Sequence, residues 1–278
     1  MGKKSLNVVF LIAGSEPLGS AGMQADIKAV TACGGYAACA VTCVVDEDTR
    51  RVKSIFHLPV ELIVSQAESF LGDIATGCIK TGVLPTEEII RGVAGVLRRY
   101  RQVPLLVDPV IVDSLGQKLV ADNAIEAYKR ELFPLATLIT PNRREAETLL
   151  GHPLGNVQED VRELGQWGCS VVIKSIERGK MLADVFYDAE TGAVREFVKP
   201  RIITRNVNGT GDSFSSAIAT YVATKFPLEE AVEKAEEFIS RAISLGAEYE
   251  FGHGYGPVHP CFMEDKSVHQ RIYNEIKS

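Results

Sequence analysis

The sequence predicts one α/β domain, residues 1–278, in which a mostly parallel sheet is covered on both faces by helices. Three observations support this prediction: short apolar runs rich in β-branched residues, amphipathic segments between them, and a length of 278 residues. Continuous apolar runs are typical of strands that are buried on both faces of a parallel sheet. Their alternation with helices indicates right-handed βαβ units. A chain of this length fits one large domain better than two independent ones.

The predicted elements follow one another along the chain in βαβ order. Apolar runs predict parallel strands at 6–13, 78–83, 104–108, 138–140 and 170–174. Helical periodicity predicts helices at 21–33, 59–71, 86–100, 121–132, 145–150 and 157–167. Two parts of the chain differ from this alternation. Residues 36–57 have the pattern of short strands, and 182–187 with 194–198 predict an antiparallel hairpin. The last third is predicted to be helical, at 211–225 and from 227 to about 249.

Composition excludes several classes of partner. The net charge of −6 argues against a nucleic-acid surface, which needs a basic stripe. No apolar run reaches the length of a membrane span, so no membrane partner is expected. The six cysteines are scattered and form no CxxC pair, a spacing that fits reduced thiols in a cytoplasmic protein.

The segment 208–214, NGTGDSF, has two glycines one residue apart immediately before a predicted helix. Such a turn lets the backbone approach a ligand closely, and free amides at a helix N-terminus favour an anion. Asp212 is placed to take a proton from a hydroxyl group that attacks a phosphoryl group. The segment is equally consistent with an ordinary helix start that has an acidic residue in its first turn.

Polar residues also follow several predicted strands, at the sheet edge where ligands collect in open α/β folds. The turn 13–22, AGSEPLGSAG, has neither Rossmann nor P-loop spacing and precedes a helix that carries Asp26. Asp108 ends the strand PLLVD, where a carboxylate needs solvent, a partner or a cation. Lys174 ends the strand SVVIK and is either a cation for a polyphosphate or a solvated strand-end lysine.

Asn142 and Glu145 lie three residues apart on an incoming helix turn, so their oxygens can share one face. Oxygen ligands in this arrangement suit a Mg²⁺ ion that keeps several waters. The same spacing matches a capping box, and the local pattern leaves both interpretations open. Together with Asp108, Lys174 and Asp212, these residues form the parts of a phosphoryl-transfer site that lacks a Walker motif.

Six segments, in this order, resemble the vitamin kinases of the ribokinase-like superfamily. They are AGSEPLGSAGMQADIKA (13–29), IKTGVL (79–84), DPVIV (108–112), LITPNRREAETLLG (138–151), NGTGDSFSSAIA (208–219) and GHGYGPVHP (252–260). The resemblance covers nearly the whole chain and is strongest to hydroxymethylpyrimidine/phosphomethylpyrimidine kinases of thiamine biosynthesis, with pyridoxal kinases as near relatives. The first, fourth and last segments are specific to the pyrimidine kinase branch, whereas GTGD is shared across the superfamily. The resemblance implies a three-layer αβα ribokinase-like fold.

The resemblance also implies a function and a set of site residues. The expected enzyme uses ATP and Mg²⁺ to phosphorylate the hydroxymethyl group of 4-amino-5-hydroxymethyl-2-methylpyrimidine, its monophosphate, or both. Asp212 is the expected base, Lys174 is expected at the ATP phosphates, and the amides of Gly209, Thr210 and Gly211 form the expected anion hole. The residues expected at Mg²⁺, partly through water, are Asp108, Asn142 and Glu145. Those aligned with the wall of the heterocycle pocket are Gly14, Ala21, Asp26, Glu47, Val83 and Val110.

Three positions depart from the pattern of the pyrimidine kinase branch. Asp212 stands where many members of this branch have cysteine, whereas aspartate is the rule at this position in sugar kinases and in several pyridoxal kinases. Glu47 stands at the position of a glutamine that reads the pyrimidine, and an ionised carboxylate can only accept hydrogen bonds. The usual lysine-glycine-glycine-histidine stretch is Lys174-Ser175-Ile176-Glu177 in this chain.

These departures keep two alternatives open. Pyridoxal or pyridoxine is the alternative substrate, favoured by Asp212 and Glu47, and a sugar is disfavoured by the first and last segments. A ligand-binding protein without catalysis is the alternative class, because a fold does not fix a function. The relatives are often dimers, so a homodimer is a further expectation.

Overall fold

The computed structural model describes residues 6–112 and 119–261, in which nine strands form one central sheet. The strands are β1 (Val8–Ser15), β2 (Tyr36–Asp48), β3 (Arg51–His57), β4 (Cys78–Thr81), β5 (Leu105–Val107), β6 (Leu138–Ile139), β7 (Ser170–Arg178), β8 (Met181–Tyr187) and β9 (Val194–Pro200). Their order across the sheet is β3-β2-β1-β4-β5-β6-β7-β8-β9. Every pair from β2 to β7 is parallel, and the outer pairs β2–β3, β7–β8 and β8–β9 are antiparallel. The predicted mostly parallel sheet is confirmed.

Helices cover both faces of this sheet. They are α1 (Gly22–Ala32), α2 (Val60–Asp73), α3 (Glu87–Leu97), α4 (Asp122–Ala127), α5 (Arg143–Leu150), α6 (Val157–Leu164), α7 (Thr210–Ala223) and α8 (Leu228–Gly246). Helices α1, α7 and α8 pack on one face, and α2 to α6 pack on the other. A short parallel pair, β10 (Asn206–Asn208) and β11 (Gly256–Pro257), lies outside the main sheet.

Strand β1 shows why the predicted apolar runs are continuous. Phe10 and Ile12 belong to the core beneath α2 and α3, whereas Val9 and Leu11 belong to the core beneath α1 and α7. Successive side chains of a strand point to opposite faces, so a strand between two helical layers must be apolar at every position.

Two predicted elements differ in the structure. The single helix predicted at 121–132 is α4 followed by a π-helical turn, Tyr128–Leu132, and a 3₁₀ turn that contains Pro134. Proline lacks the N–H that an α-helix needs, so regular hydrogen bonding cannot continue through it. In place of short strands, residues 36–57 contain the 13-residue β2, because its first part pairs with β1 and its last part pairs with β3.

The parallel strands end at the same edge of the sheet. The turns that follow β1, β4, β5 and β6 meet there, together with the middle of β7 at Lys174 and Ser175 and the first turns of α5 and α7. Among residues 6–112 and 119–261, no helix is long and apolar enough to cross a membrane.

Candidate active site

A cavity of about 320 Å³ lies at this edge of the sheet. Every site residue predicted from the sequence lines it, with the exception of Asp26. The topology therefore brings together turns that are separated by as many as 198 residues along the chain, from Gly14 to Asp212. The roles assigned to these residues remain predictions.

The start of α7 forms one wall of the cavity. Gly209 precedes the helix with a left-handed φ of 73°, and a Cβ at this position would lie 1.8 Å from the carbonyl oxygen of Ser20. No L side chain fits that contact, so the glycine is required by the packing of the turn 16–21. Among residues 6–112 and 119–261, no side chain caps the helix. The amides of its first turn have no intrahelical acceptor and are available to an anion.

Lys174 lies against this first turn. Its Nζ donates to Oδ1 of Asp108 at 2.9 Å, and a Cβ on Gly211 would lie 3.0 Å from the same nitrogen. The second glycine of the turn therefore lets a cation come close to the helix N-terminus. Lys174 is only 8% exposed, so it is not the solvated strand-end lysine that the sequence also allowed.

Asp108 is held as a carboxylate by its neighbours. Its Oδ2 accepts a hydrogen bond from Oγ of Ser215 at 3.1 Å, and its other oxygen accepts from Lys174. Burial raises the pKa of Asp108, but Lys174 and Lys80 outweigh burial and hold this pKa below its ordinary value.

Asp212 projects from the first turn of α7, with 15% of its side chain exposed. Its Oδ1 lies 3.8 Å from Nζ of Lys80, and the backbone N–H of Gly22 donates to the carboxylate. Burial raises the pKa of Asp212. Lys80 and Lys174 oppose this rise and Asp108 adds to it, so the pKa lies above its ordinary value. A carboxylate with a raised pKa is a better proton acceptor, as general-base catalysis requires.

Lys80 is completely buried within β4 and joins Asp212 to Asp26. Its Nζ lies 2.6 Å from Oδ1 of Asp26, which also accepts from Oγ of Ser216 at 2.8 Å. Burial raises the pKa of Asp26 to about 7, although Lys80 opposes the rise. Asp26 was expected at the wall of the heterocycle pocket. The structure instead places it behind that wall, because α1 directs its carboxylate onto Lys80.

Asn142 and Glu145 form the capping box that their spacing allows. Oδ1 of Asn142 accepts from the Glu145 N–H at 3.0 Å, and Oε2 of Glu145 accepts from the Asn142 N–H at 2.8 Å. Oε1 of Glu145 accepts from the N–H of Ile111 at 3.1 Å. Burial raises the pKa of Glu145 to about 7. Lys174 opposes this rise, and the negative charge of Asp108 adds to it.

These oxygens suit Mg²⁺ through water better than by direct ligation. Within the described ranges, no group of three His, Cys, Asp or Glu side chains could hold a metal ion. Asp108 is engaged by Lys174 and Ser215, and both oxygens of Glu145 accept backbone N–H groups. Mg²⁺ usually keeps several of its waters beside phosphates. Carboxylates at the cavity wall can therefore accept hydrogen bonds from the waters of a phosphate-bound ion.

The β2–β3 hairpin and the loop 252–256 contact each other beside the cavity. Oγ1 of Thr49 accepts from the N–H groups of Gly254 at 3.0 Å and His253 at 3.2 Å. The carbonyl of Thr49 accepts from the N–H of Tyr255 at 2.8 Å. Glu47 and Tyr255 both line the cavity as a result. Residues 36–57 thus contribute to the site, which explains how Glu47 can face a substrate.

Sequence reasoning missed several of these contacts. Lys80 could have been recognised from the sequence, because a lysine within a short apolar strand, here the buried β4, needs a carboxylate partner. Ser215 and Ser216 are harder to recognise from the sequence. Their hydroxyl groups lie on a helix that is buried along most of its length, so they need hydrogen-bond partners. Nothing in the sequence indicates the role of Thr49, because its partners are backbone amides about 200 residues away in the sequence.

Comparison with known proteins identifies the family. Residues 16–259 match the family described as phosphomethylpyrimidine kinase. The hydroxymethylpyrimidine/phosphomethylpyrimidine kinase of Escherichia coli K12 is 32% identical over 256 residues, which are 89% of this chain and 95% of that protein. The thiamine biosynthesis bifunctional protein ThiED of Geobacter sulfurreducens is 38% identical over 265 residues, or 92% of this chain. The chain spans about half, 53%, of the length of that bifunctional protein.

A solved structure agrees with these matches. The ADP complex of Bacillus subtilis pyridoxal kinase superposes with a TM-score of 0.82 at 30% identity, over 92% of this chain and 97% of that chain. The likeness confirms the predicted ribokinase-like fold. The predicted enzyme class is also confirmed: the chain is a phosphotransferase and belongs to the phosphomethylpyrimidine kinase family.

Proposed function

We propose that this chain transfers the γ-phosphoryl group of ATP to the hydroxymethyl group of 4-amino-5-hydroxymethyl-2-methylpyrimidine, to its monophosphate, or to both. The observation that carries the proposal is the position of Asp212. Its carboxylate lines the same cavity as the free amides of α7 and the Lys174–Asp108 pair. Membership of the phosphomethylpyrimidine kinase family supports the choice of substrate.

Each part of this site has a task in the transfer. The substrate oxygen attacks the γ-phosphorus, Asp212 takes the hydroxyl proton, and the bond between that phosphorus and the leaving oxygen of ADP breaks. Charge builds up on the phosphoryl oxygens during this step. The amides of Gly209, Thr210 and Gly211 and the ammonium of Lys174 are preorganised to stabilise that charge.

We also propose that Mg²⁺ accompanies the ATP phosphates. Asp108, Asn142 and Glu145 would hold the ion partly through water, in keeping with the hydrogen bonds that already occupy their oxygens. When bound, the ion supplies positive charge that screens the phosphates from the attacking oxygen.

Pyridoxal is the second candidate substrate, and one observation favours it. The Bacillus subtilis protein that superposes on this chain is a pyridoxal kinase. ADP release should therefore be measured with ATP and Mg²⁺ and with hydroxymethylpyrimidine, its monophosphate, pyridoxal or ribose. We expect turnover of the pyrimidines. Turnover of pyridoxal alone would assign the chain to vitamin B6 salvage, and no turnover of any of the four would contradict both proposals.

Glu47 is the residue expected to set this preference. We expect Glu47→Gln to raise the ratio of kcat/KM for hydroxymethylpyrimidine over pyridoxal by about tenfold, because an amide both donates and accepts hydrogen bonds whereas a carboxylate only accepts. Asp46→Asn is the matched control: it removes the same charge from the neighbouring residue, whose side chain is 60% exposed and pairs with Lys53. An unchanged ratio in Glu47→Gln, or an equal change in both variants, would remove Glu47 from substrate selection.

A homodimer is proposed through the edge of the sheet formed by β3. Val44 on β2 and Phe56 on β3 are 47% and 68% exposed, which leaves apolar surface beside an edge strand. We expect light scattering to give the mass of a dimer, and Phe56→Glu to give that of a monomer. Monomeric wild-type protein at micromolar and higher concentrations would contradict the proposal.

The chain is further proposed to act in the cytoplasm as one kinase domain of residues 1–278. Its six cysteines support the compartment, since none forms a disulfide, and Cys43, Cys78 and Cys169 are buried. Unpaired thiols are typical of proteins kept in a reducing environment.

A further inference from the structure

The strand that carries Lys174 is bulged at that residue. Lys174 and Ser175 of β7 together face one residue of β8, Asp184. A bulge of two residues against one redirects a side chain away from the regular ladder. Here the ammonium of Lys174 points to Asp108 and the first turn of α7.

The bulge is held in an unfavourable backbone conformation. Ser175 has φ 62°, and Lys225 is the only other non-glycine residue of the described chain with a positive φ. A residue with a side chain adopts a positive φ only at a cost in free energy, so contacts with neighbouring residues must hold Ser175 in this conformation. The contact that does so is a hydrogen bond of 2.6 Å from the Ser175 N–H to Oδ1 of Asp184.

Asp184 is itself held by a buried ionic cluster. Its Oδ2 accepts from Nζ of Lys199 on β9 at 2.9 Å, and Lys199 also donates to Glu236 on α8. Asp184 is 3% exposed and Glu236 is 7% exposed. Burial lowers the pKa of Lys199, but Asp184 and Glu236 outweigh burial and raise it, so the ammonium stays charged. Burial and the neighbouring Asp184 raise the pKa of Glu236 to about 9, so Asp184 is the main charged partner of Lys199. The cluster joins three elements and fixes the carboxylate that faces the bulge.

We propose that Asp184 is a positioning residue for phosphate binding: it holds the Ser175 bulge in the conformation that directs Lys174 into the cavity. Lys174, Ser175, Asp184 and Lys199 all line that cavity. The inference rests on the proposed function, in which Lys174 binds the phosphates of the nucleotide. In this inference the backbone of Ser175 is strained, and its hydrogen bond to Asp184 offsets the strain.

The test is the affinity for ADP, measured by calorimetry in MgCl₂. Asp184→Ala removes the acceptor of the Ser175 N–H, and we expect it to weaken ADP binding by about tenfold. Adding Ser175→Gly should restore most of this loss, because glycine adopts a positive φ without steric cost. Adding Lys225→Gly is the matched control. It relieves the same kind of strain at a residue outside the cavity and should restore none of the affinity.

A second comparison tests whether the effect passes through Lys174. If it does, Asp184→Ala should weaken ADP binding far less in a Lys174→Ala background than in the wild type, since coupled residues are not additive. Should Asp184→Ala fail to fold, Asp184→Asn replaces it, because its amide cannot accept from both Ser175 and Lys199.

The outcomes separate this inference from the proposed function. Unchanged ADP affinity in the Asp184 variant, or equal rescue by Ser175→Gly and Lys225→Gly, would overturn the positioning role while leaving a kinase intact. Wild-type protein that binds ADP but phosphorylates none of the four substrates would overturn the proposed function alone. Wild-type protein that does not bind ADP would overturn both.

Discussion

Replacing Asp212 with asparagine is expected to lower kcat by roughly 10²–10⁴ while leaving the fold and ADP binding intact. The substitution keeps the shape of the side chain and removes the group that accepts the hydroxyl proton. The side chain lies at the cavity wall, where no other carboxylate occupies the first turn of α7. Steady-state rates with the preferred substrate, together with thermal unfolding and ADP calorimetry, measure the effect.

Asp160→Asn is the matched control for that variant. Asp160 is also a buried aspartate in the first turn of a helix, where it accepts from the N–H of Gly155 at 2.9 Å, but it does not line the cavity. We expect its loss to lower stability and leave kcat nearly unchanged. Near-wild-type turnover by Asp212→Asn would show that another group takes the proton.

Replacing Lys80 with methionine is expected to lower both stability and activity. Lys80 is completely buried between Asp26 and Asp212. Even with the lysine present, one oxygen of Asp26 has no hydrogen-bond partner in the part of the chain that the structure describes. Breaking a buried ion pair by removing one partner costs roughly 3–5 kcal/mol, because the other charge is left uncompensated. Chemical denaturation of the variant and of the wild type measures this difference in the free energy of unfolding.

The double variant Lys80→Met with Asp26→Leu separates stability from electrostatics. Replacing both members of a buried pair with apolar groups is often neutral for stability. We therefore expect the double variant to regain most of the lost stability and to keep a kinetic defect, since Asp212 still lacks its nearest cation. Full recovery of kcat in the double variant would contradict a role for Lys80 in the ionisation of Asp212.

The pH dependence of kcat/KM reports the interaction between Lys80 and Asp212. Asp212 faces Lys80 from β4, Lys174 from β7 and Asp108 after β5, and burial keeps its pKa above the ordinary value. As the pH falls, Asp212 therefore becomes protonated at a higher pH than an exposed aspartate does. Lys80 lowers this pKa, so Lys80→Met should move the acidic limb of the profile to a still higher pH.

The elements that carry local signals were predictable from the sequence. The apolar strand β1, the hairpin β8–β9 and the glycine turn before α7 lie where their residue patterns place them. These patterns report burial and backbone freedom, which act over a few residues. The capping box of Asn142 and Glu145 is also local, and it is one of the two interpretations that their spacing allowed.

Contacts between distant segments were not predictable in the same way. A lysine after an apolar run gives no sign of its partner. Only the adjacency of β5, β6 and β7 brings Lys174, which lies inside β7, to Asp108. The position of Asp26 behind the cavity depends on how α1 lies against β4 and α7. The bulge that directs Lys174 arises from pairing with β8, where a serine occupies a conformation that sequence patterns assign to glycine.

Residue types and their spacing were enough to predict the α/β class, the glycine turn with Asp212 and the family resemblance, which the family match confirmed. These follow from residue type and spacing, which act locally. Which charged side chains lie together depends on the packing of the folded chain. It pairs Lys80 with Asp26 and Asp212, it joins Lys174 to Asp108, and it brings the β2–β3 hairpin beside the cavity. The physical reason is that a buried charge needs a partner, and the order of strands in the sheet determines which partner is within reach.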